Sequence, residues 1–189
     1  MAGDGFATDF DWGRFDRIID VGGSRGAKAL AILKRHPGLS ALVVDRPQVV
    51  EEARRHWAAH PADGAERLRF QAGDLFDAVS AAACPKDIYL LSAVLHGFDD
   101  DAGARALRTL RAAIGGSGAR VAVLEMVMPE TGADLAGASF DMQMLVSCRG
   151  RERTLSEWTS LIRAGGMALE EVVRLRSLGS ILVLRPGRS

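Results

Sequence analysis

RIIDVGGSRGAKAL, residues 17–30, joins an apolar run to a helical pattern through a turn that carries three glycines. The run at 17–21 has the length and composition of a short buried strand, and the Ala, Leu and Lys from Ala27 onward favour helix. Glycine at such a junction admits positive φ and lets a ligand approach the main chain, while the unpaired N–H groups of the new helix face whatever lies above the strand end. This is the outline of a nucleotide-type site, although a tight connection in an α/β fold has the same outline. A dinucleotide fingerprint would read G-x-G-x-x-G, and Ser24 and Ala27 break it. The pattern present is D-x-G-x-S-x-G, from Asp20 through Gly22 and Ser24 to Gly26, which suits a ligand without a pyrophosphate.

Outward from this turn, apolar runs alternate with helical stretches. Strands are predicted at 17–21, 41–45, 67–72, 87–93, 119–126, 168–175 and 181–184, and helices at 27–36, 47–60, 101–114, 135–146 and 155–164. The punctuation agrees: Pro37 and Gly38 end one helix, Pro47 suits a first helical turn, Thr154 and Glu157 form a capping box, and Gly165 and Gly166 stop the helix it starts. Strands separated by helices imply an α/β, doubly wound, mostly parallel sheet of seven strands, and the last two runs, with no helix between them, imply an antiparallel C-terminal hairpin.

The 189 residues fit one domain, read as a polar leader over 1–13 and a ligand-binding domain over 14–189. Lys plus Arg and Asp plus Glu number 24 each, so the net charge of zero offers no electrostatic case for nucleic acid or an anionic membrane. Cys84 and Cys148 form no disulfide framework, and without a signal peptide or a long apolar run the chain reads as cytosolic with reduced thiols.

In sheets of this kind ligands bind beyond the C-terminal strand ends. The residues closing the predicted strands are Asp20 to Gly22, Asp45, Gly73 with Asp74, Ser92 to His96, and Glu125 with Met126. Asp45 is placed to accept ribose hydroxyls. Asp74 is placed to receive an exocyclic adenine amine, with Leu75 and Phe76 flanking the ring. Each carboxylate alone is more often a helix cap or a solvated strand end, but successive acidic strand ends beside a glycine turn point to one nucleoside with a short charged tail.

The stretches DVGGSRG, VVDRPQVV, GDLF, AVLHGFDD, LEMVMPE and GRERTLSEW, in that order over residues 10–184, resemble the motifs of S-adenosylmethionine-dependent O-methyltransferases. More narrowly, they are similar to the small-molecule type with plant phenolic and actinobacterial aromatic-polyketide members. The resemblance implies the Rossmann-like class I methyltransferase fold and S-adenosylmethionine as cofactor, released as S-adenosylhomocysteine. It implies that Asp20 and the turn of Gly22, Gly23, Ser24 and Gly26 hold the methionine portion and Asp45 with Arg46 the ribose. Gly73, Asp74, Leu75 and Phe76 would hold the adenine, with Ser92 close to the cofactor. His96 takes the position of the general base, flanked by Glu125 and Glu152.

Methyl transfer from a sulfonium needs an acceptor oxygen held in line and deprotonated, and a histidine whose far nitrogen meets a carboxylate can do the latter. Glu152 also reads as the acidic member of an arginine network with Arg151 and Arg153. Met126, Met142 and Trp158 are the expected wall for a small aromatic hydroxyl acceptor, and no metal is predicted. The chain departs from the resemblance in three ways. The N-terminal domain through which full-length members form homodimers and close the acceptor pocket is absent, which allows a monomer here; Gly97 stands where an acidic residue is usual; and Ser24 replaces a turn glycine. Three alternatives therefore accompany the methyltransferase reading: a cofactor-binding domain inactive without its N-terminal partner, a repurposed decarboxylase, hydroxylase or pericyclase, and, disfavoured by the broken fingerprint, an NAD-dependent oxidoreductase.

Overall fold

A computed structural model describes residues 5–77, 79–131, 152–176 and 179–187. Its centre is a seven-stranded sheet in the order β3-β2-β1-β4-β5-β9-β8. The strands are β1 (Arg17–Val21), β2 (Ser40–Asp45), β3 (Leu68–Ala72), β4 (Asp87–Ser92), β5 (Arg120–Glu125), β8 (Met167–Arg174) and β9 (Ser180–Pro186). The first five pair in parallel, and β9 inserts antiparallel between β5 and β8. The expected C-terminal hairpin is therefore present, with β9 rather than β8 joining the body of the sheet. A separate two-residue parallel pair, β6 (Val127–Met128) with β7 (Arg153–Thr154), had no signal in the sequence because two residues carry no periodicity.

Alternate residues of the central strands feed opposite faces, as strand geometry requires. Ile19, Tyr89, Leu91, Val121 and Val123 pack with Leu107 and Leu110 of α4 (Asp100–Ile114) and with Trp158, Leu161 and Ile162 of α5 (Leu155–Ala164). On the other face Ile18, Ile88, Leu90 and Ala122 pack with Ile32 and Leu33 of α2 (Ala27–Arg35), while α3 (Pro47–Ala59) covers β2 and β3. The capping box at α5 is complete: Thr154 Oγ1 accepts from the Glu157 N–H, and the Glu157 carboxylate accepts from the Thr154 N–H at 2.9 Å.

The stretch expected as a polar leader is built into the second core from residue 5 onward. It forms a short helix, α1 (Gly5–Thr8), and a 3-10 turn, and it buries Ala7, Phe10 and Trp12. Apolar residues there lie among glycines and aspartates without a repeating period, so their burial was hidden. The helix expected at 135–146, and with it Met142, lies outside the described residues, as do Cys148 and Arg151.

Candidate active site

The C-terminal ends of β1, β2, β4 and β5 form one rim, and the glycine turn between β1 and α2 lies at its middle. Gly22 and Gly26 hold φ of 75° and 74°, and Ser24 is also left-handed at 55°. A Cβ at Gly26 would lie 2.9 Å from Val43 Cγ2, so glycine there is what lets α2 close against β2. Gly23 has a different role: a Cβ on it would collide with the Asp20 carboxylate. Asp45 braces the turn from the side, its Oδ2 accepting the Ser24 N–H and its Oδ1 the Arg46 N–H, both at 2.8 Å. Trp57 adds a bond from its indole N–H to the Arg25 carbonyl at 2.7 Å. Each Asp45 oxygen keeps a further lone pair for a ligand hydroxyl.

Asp20, at the end of β1, is 1 % exposed, and its Oδ2 has no hydrogen-bond partner. Burial pushes its carboxyl up to about 7, with Lys28 opposing and Asp45 reinforcing the shift. A buried carboxylate left this way is costly unless a ligand completes it. Asp74 is exposed at the end of β3, where its Oδ1 accepts the Phe76 N–H at 2.7 Å and fixes the turn. Phe76 packs edge-on against Phe98 at 5.1 Å between centroids, which ties the Asp74 side of the rim to the loop beyond β4.

That loop is strained at its start. Ala93 has a φ of 55°, and it and Ser24 are the two non-glycine residues with positive φ among the described residues. The bend leads into a 3-10 turn over Leu95–Gly97 that carries His96. Glu125 organises the turn from below: its Oε1 accepts the N–H groups of Val94 and Leu95, both at 2.9 Å. Its Oε2 lies 3.2 Å from His96 Nδ1, and Glu152 Oε1 lies 3.4 Å from the same nitrogen. Both distances lie at the long end of the hydrogen-bond range.

The three residues expected to work together are thus brought together, and both carboxylates address Nδ1 of the ring. The Glu152 hydrogen bond is the main cause that raises the His96 pKa above its usual 6.5; burial opposes it and the Glu125 charge adds to it. Burial in turn raises the Glu125 carboxyl, against the pull of His96. Among the described residues no group of three His, Cys, Asp or Glu side chains is arranged to hold a metal.

Two residues take roles in the site that the sequence alone does not assign. Arg153 is fully buried and straps the His96 loop, donating to the carbonyls of Leu95 at 3.2 Å and Phe98 at 2.8 Å and to Asp100 Oδ1 at 2.9 Å. Lys28, on the first turn of α2, reaches Ser92 Oγ. One expectation needs correction: Trp158 does not line an acceptor space. It is fully buried in the core, its indole N–H donating to the Met126 carbonyl at 3.1 Å with the Arg153 guanidinium over its ring. A tryptophan on the inner face of an amphipathic helix goes to the core. Met126 is half-buried at the rim.

A parallel sheet closed by an antiparallel strand pair, with a glycine turn and acidic strand ends on one rim, defines the class of Rossmann-like methyltransferases. The chain matches the O-methyltransferase domain family over residues 1–168 and belongs to that family. It is 34 % identical to a phenazine O-methyltransferase of Lysobacter antibioticus over 94 % of this chain and 50 % of that protein. A Streptomyces davaonensis 8-amino-8-demethylriboflavin N,N-dimethyltransferase is also 34 % identical, over 94 % of this chain and 49 % of its own length. An O-methyltransferase from neocarzinostatin biosynthesis, solved with S-adenosylhomocysteine and 1,4-dihydroxy-2-naphthoic acid, superposes with a TM-score of 0.83 at 33 % identity, over 96 % of this chain and 52 % of that one. The chain spans about half the length of these relatives. Among the described residues no helix is long and apolar enough to cross a membrane.

Proposed function

We propose that this chain binds S-adenosylmethionine on the rim and carries out methylation of a hydroxyl on a small aromatic natural product, with His96 as general base. The observation that carries this reading is the placement of His96: one ring nitrogen between two buried carboxylates, beside a glycine turn that holds an unsatisfied buried carboxylate. When bound, the cofactor supplies an electrophilic methyl on sulfur.

Asp20 and the glycine turn hold the amino-acid end, Asp45 the ribose, and Asp74 with Leu75 and Phe76 the adenine. Asp20 fits the group because its buried oxygen lacks a donor that a ligand ammonium would provide. His96 Nε2 takes the acceptor proton as the oxygen–carbon bond forms, and the imidazolium is stabilised through Nδ1 by Glu125 and Glu152. Support comes from the relatives that methylate phenazine and bind a dihydroxynaphthoic acid. A balanced net charge agrees with a small-molecule acceptor rather than a nucleic acid.

Purified chain incubated with methyl-labelled S-adenosylmethionine and a panel of phenols and hydroxynaphthoates tests the reading. Label in product, lost in His96→Ala with cofactor binding retained, is the expected result. Equal loss of cofactor binding in that variant would remove His96 from the role of base, and binding of NAD in place of S-adenosylmethionine would overturn the reading as a whole.

A further inference from the structure

Lys28 stands in the first turn of α2, just past the glycine turn, and its Nζ donates to Ser92 Oγ at the end of β4 at 2.5 Å. Asp20, at the end of the neighbouring strand β1, carries a buried, unsatisfied carboxylate oxygen. Asp20 pairs with Leu90, two residues before Ser92, so the hydrogen bond to Ser92 anchors the ammonium beside the strand end that carries Asp20, and its charge lowers the pKa of both Asp20 and His96. The N-terminus of α2 opens on the same side: its cap, Gly26, provides no side-chain acceptor, and no acidic residue occupies the first turn. The helix N–H groups there favour an anion.

This part of the rim therefore presents both an anion in need of a donor and a cation and a helix start in need of an acceptor. A zwitterionic α-amino acid has that charge pattern. We propose that Lys28 binds the α-carboxylate of the methionine portion of S-adenosylmethionine while Asp20 takes its ammonium, so that Lys28 selects ligands that carry the carboxylate. This inference rests on the cofactor reading given above and adds a residue to it. Ser92 has a matching part, as the perch that holds the long lysine chain across the site and limits the rotamer freedom lost on binding.

The test is a calorimetric titration of the chain with S-adenosylmethionine, its decarboxylated analogue and methylthioadenosine, repeated on Lys28→Met and Lys28→Arg. The unsubstituted chain is expected to prefer S-adenosylmethionine over the decarboxylated analogue by at least about tenfold, the scale of a charge-assisted hydrogen bond. Lys28→Met should erase that preference without changing the affinity for methylthioadenosine, and Lys28→Arg should keep part of it. A preference that survives in Lys28→Met, or parity between the two ligands in the unsubstituted chain, overturns the role of Lys28 while leaving the cofactor reading intact. Failure of all three ligands to bind the unsubstituted chain overturns the cofactor reading, and this inference with it. Should Lys28→Met lose methylthioadenosine as well, Lys28→Gln read by the same ratio decides.

Discussion

Glu125 lies 3.2 Å from His96 through Oε2 and accepts the N–H groups of Val94 and Leu95 through Oε1, so one buried carboxylate both builds the loop that carries the histidine and orients its ring. The two tasks respond differently to substitution. Glu125→Gln keeps an oxygen for the loop and removes the charge facing Nδ1; transfer should fall by about 10²-fold or more while folding is retained. Glu125→Ala leaves buried N–H groups without an acceptor and should cost about 1–3 kcal/mol for each. Initial rates together with thermal melts of both variants separate the effects, and equal melting temperatures for the two would contradict the structural role.

The raised pKa of His96 sets the acid limb of the pH–rate profile. With the neutral ring as the proposed base, kcat/KM should rise with pH through a value above 6.5. Glu152→Gln removes the largest cause of the shift and should move that limb to lower pH while reducing the plateau rate. For stability the sign is opposite: the contribution of His96 is full below its unfolded pKa and is lost as pH rises through the folded one. A limb that stays in place in Glu152→Gln would show that Glu152 does not act on the ring.

Asp20 links binding to stability. Its folded pKa of about 7 stands above the unfolded 3.8, so its contribution to stability is full below the latter and falls away as pH rises to the former. Asp20→Asn should therefore melt higher than the unsubstituted chain at pH ~8, gain little at pH ~4, and bind S-adenosylmethionine about tenfold or more weakly. Melting curves and titrations at both pH values measure this, and a variant less stable at the higher pH would refute the assignment of a buried, uncompensated carboxylate.

Gly23 is constrained by the same carboxylate rather than by its own backbone. Gly23→Ala should destabilise by about 1–3 kcal/mol, the usual cost of overpacking, and most of that loss should vanish in the Asp20→Ala background. Denaturant titrations of the two single variants and the double variant give the coupling energy directly; additive losses would mean that the collision is relieved elsewhere.

Arg153→Lys retains charge but cannot fork between Asp100 and the carbonyls of Leu95 and Phe98. Methyl transfer should drop about tenfold through misplacement of His96, with cofactor affinity unchanged. Titration and single-turnover rates on one preparation test the split.

The central strands, the helices between them and the rim of acidic strand ends were legible because each rests on local signals: period, capping residues and glycine spacing. Strand ends alone bring His96 and Glu125 to one rim; that Glu152 joins them was legible only through the resemblance to the O-methyltransferase motifs. What the sequence did not disclose depends on reach across the fold. Lys28 was hidden because its ammonium works at Ser92, on another strand, while its backbone lies in a helix. Arg153 was hidden beside Glu152, its role decided by carbonyls of a loop whose bend begins at Ala93. Trp158 was misplaced because a bulky aromatic at helical spacing satisfies the demands of a core and of a pocket equally, and only packing distinguishes them.

The pairing of Val127 and Met128 with Arg153 and Thr154 fastens the chain to itself at both ends of the stretch that separates them. This is a hem: because closing a loop costs entropy that grows only slowly with its length, the paired residues next to Glu125 and Glu152 hold the two carboxylates against His96 largely independently of how many residues lie between.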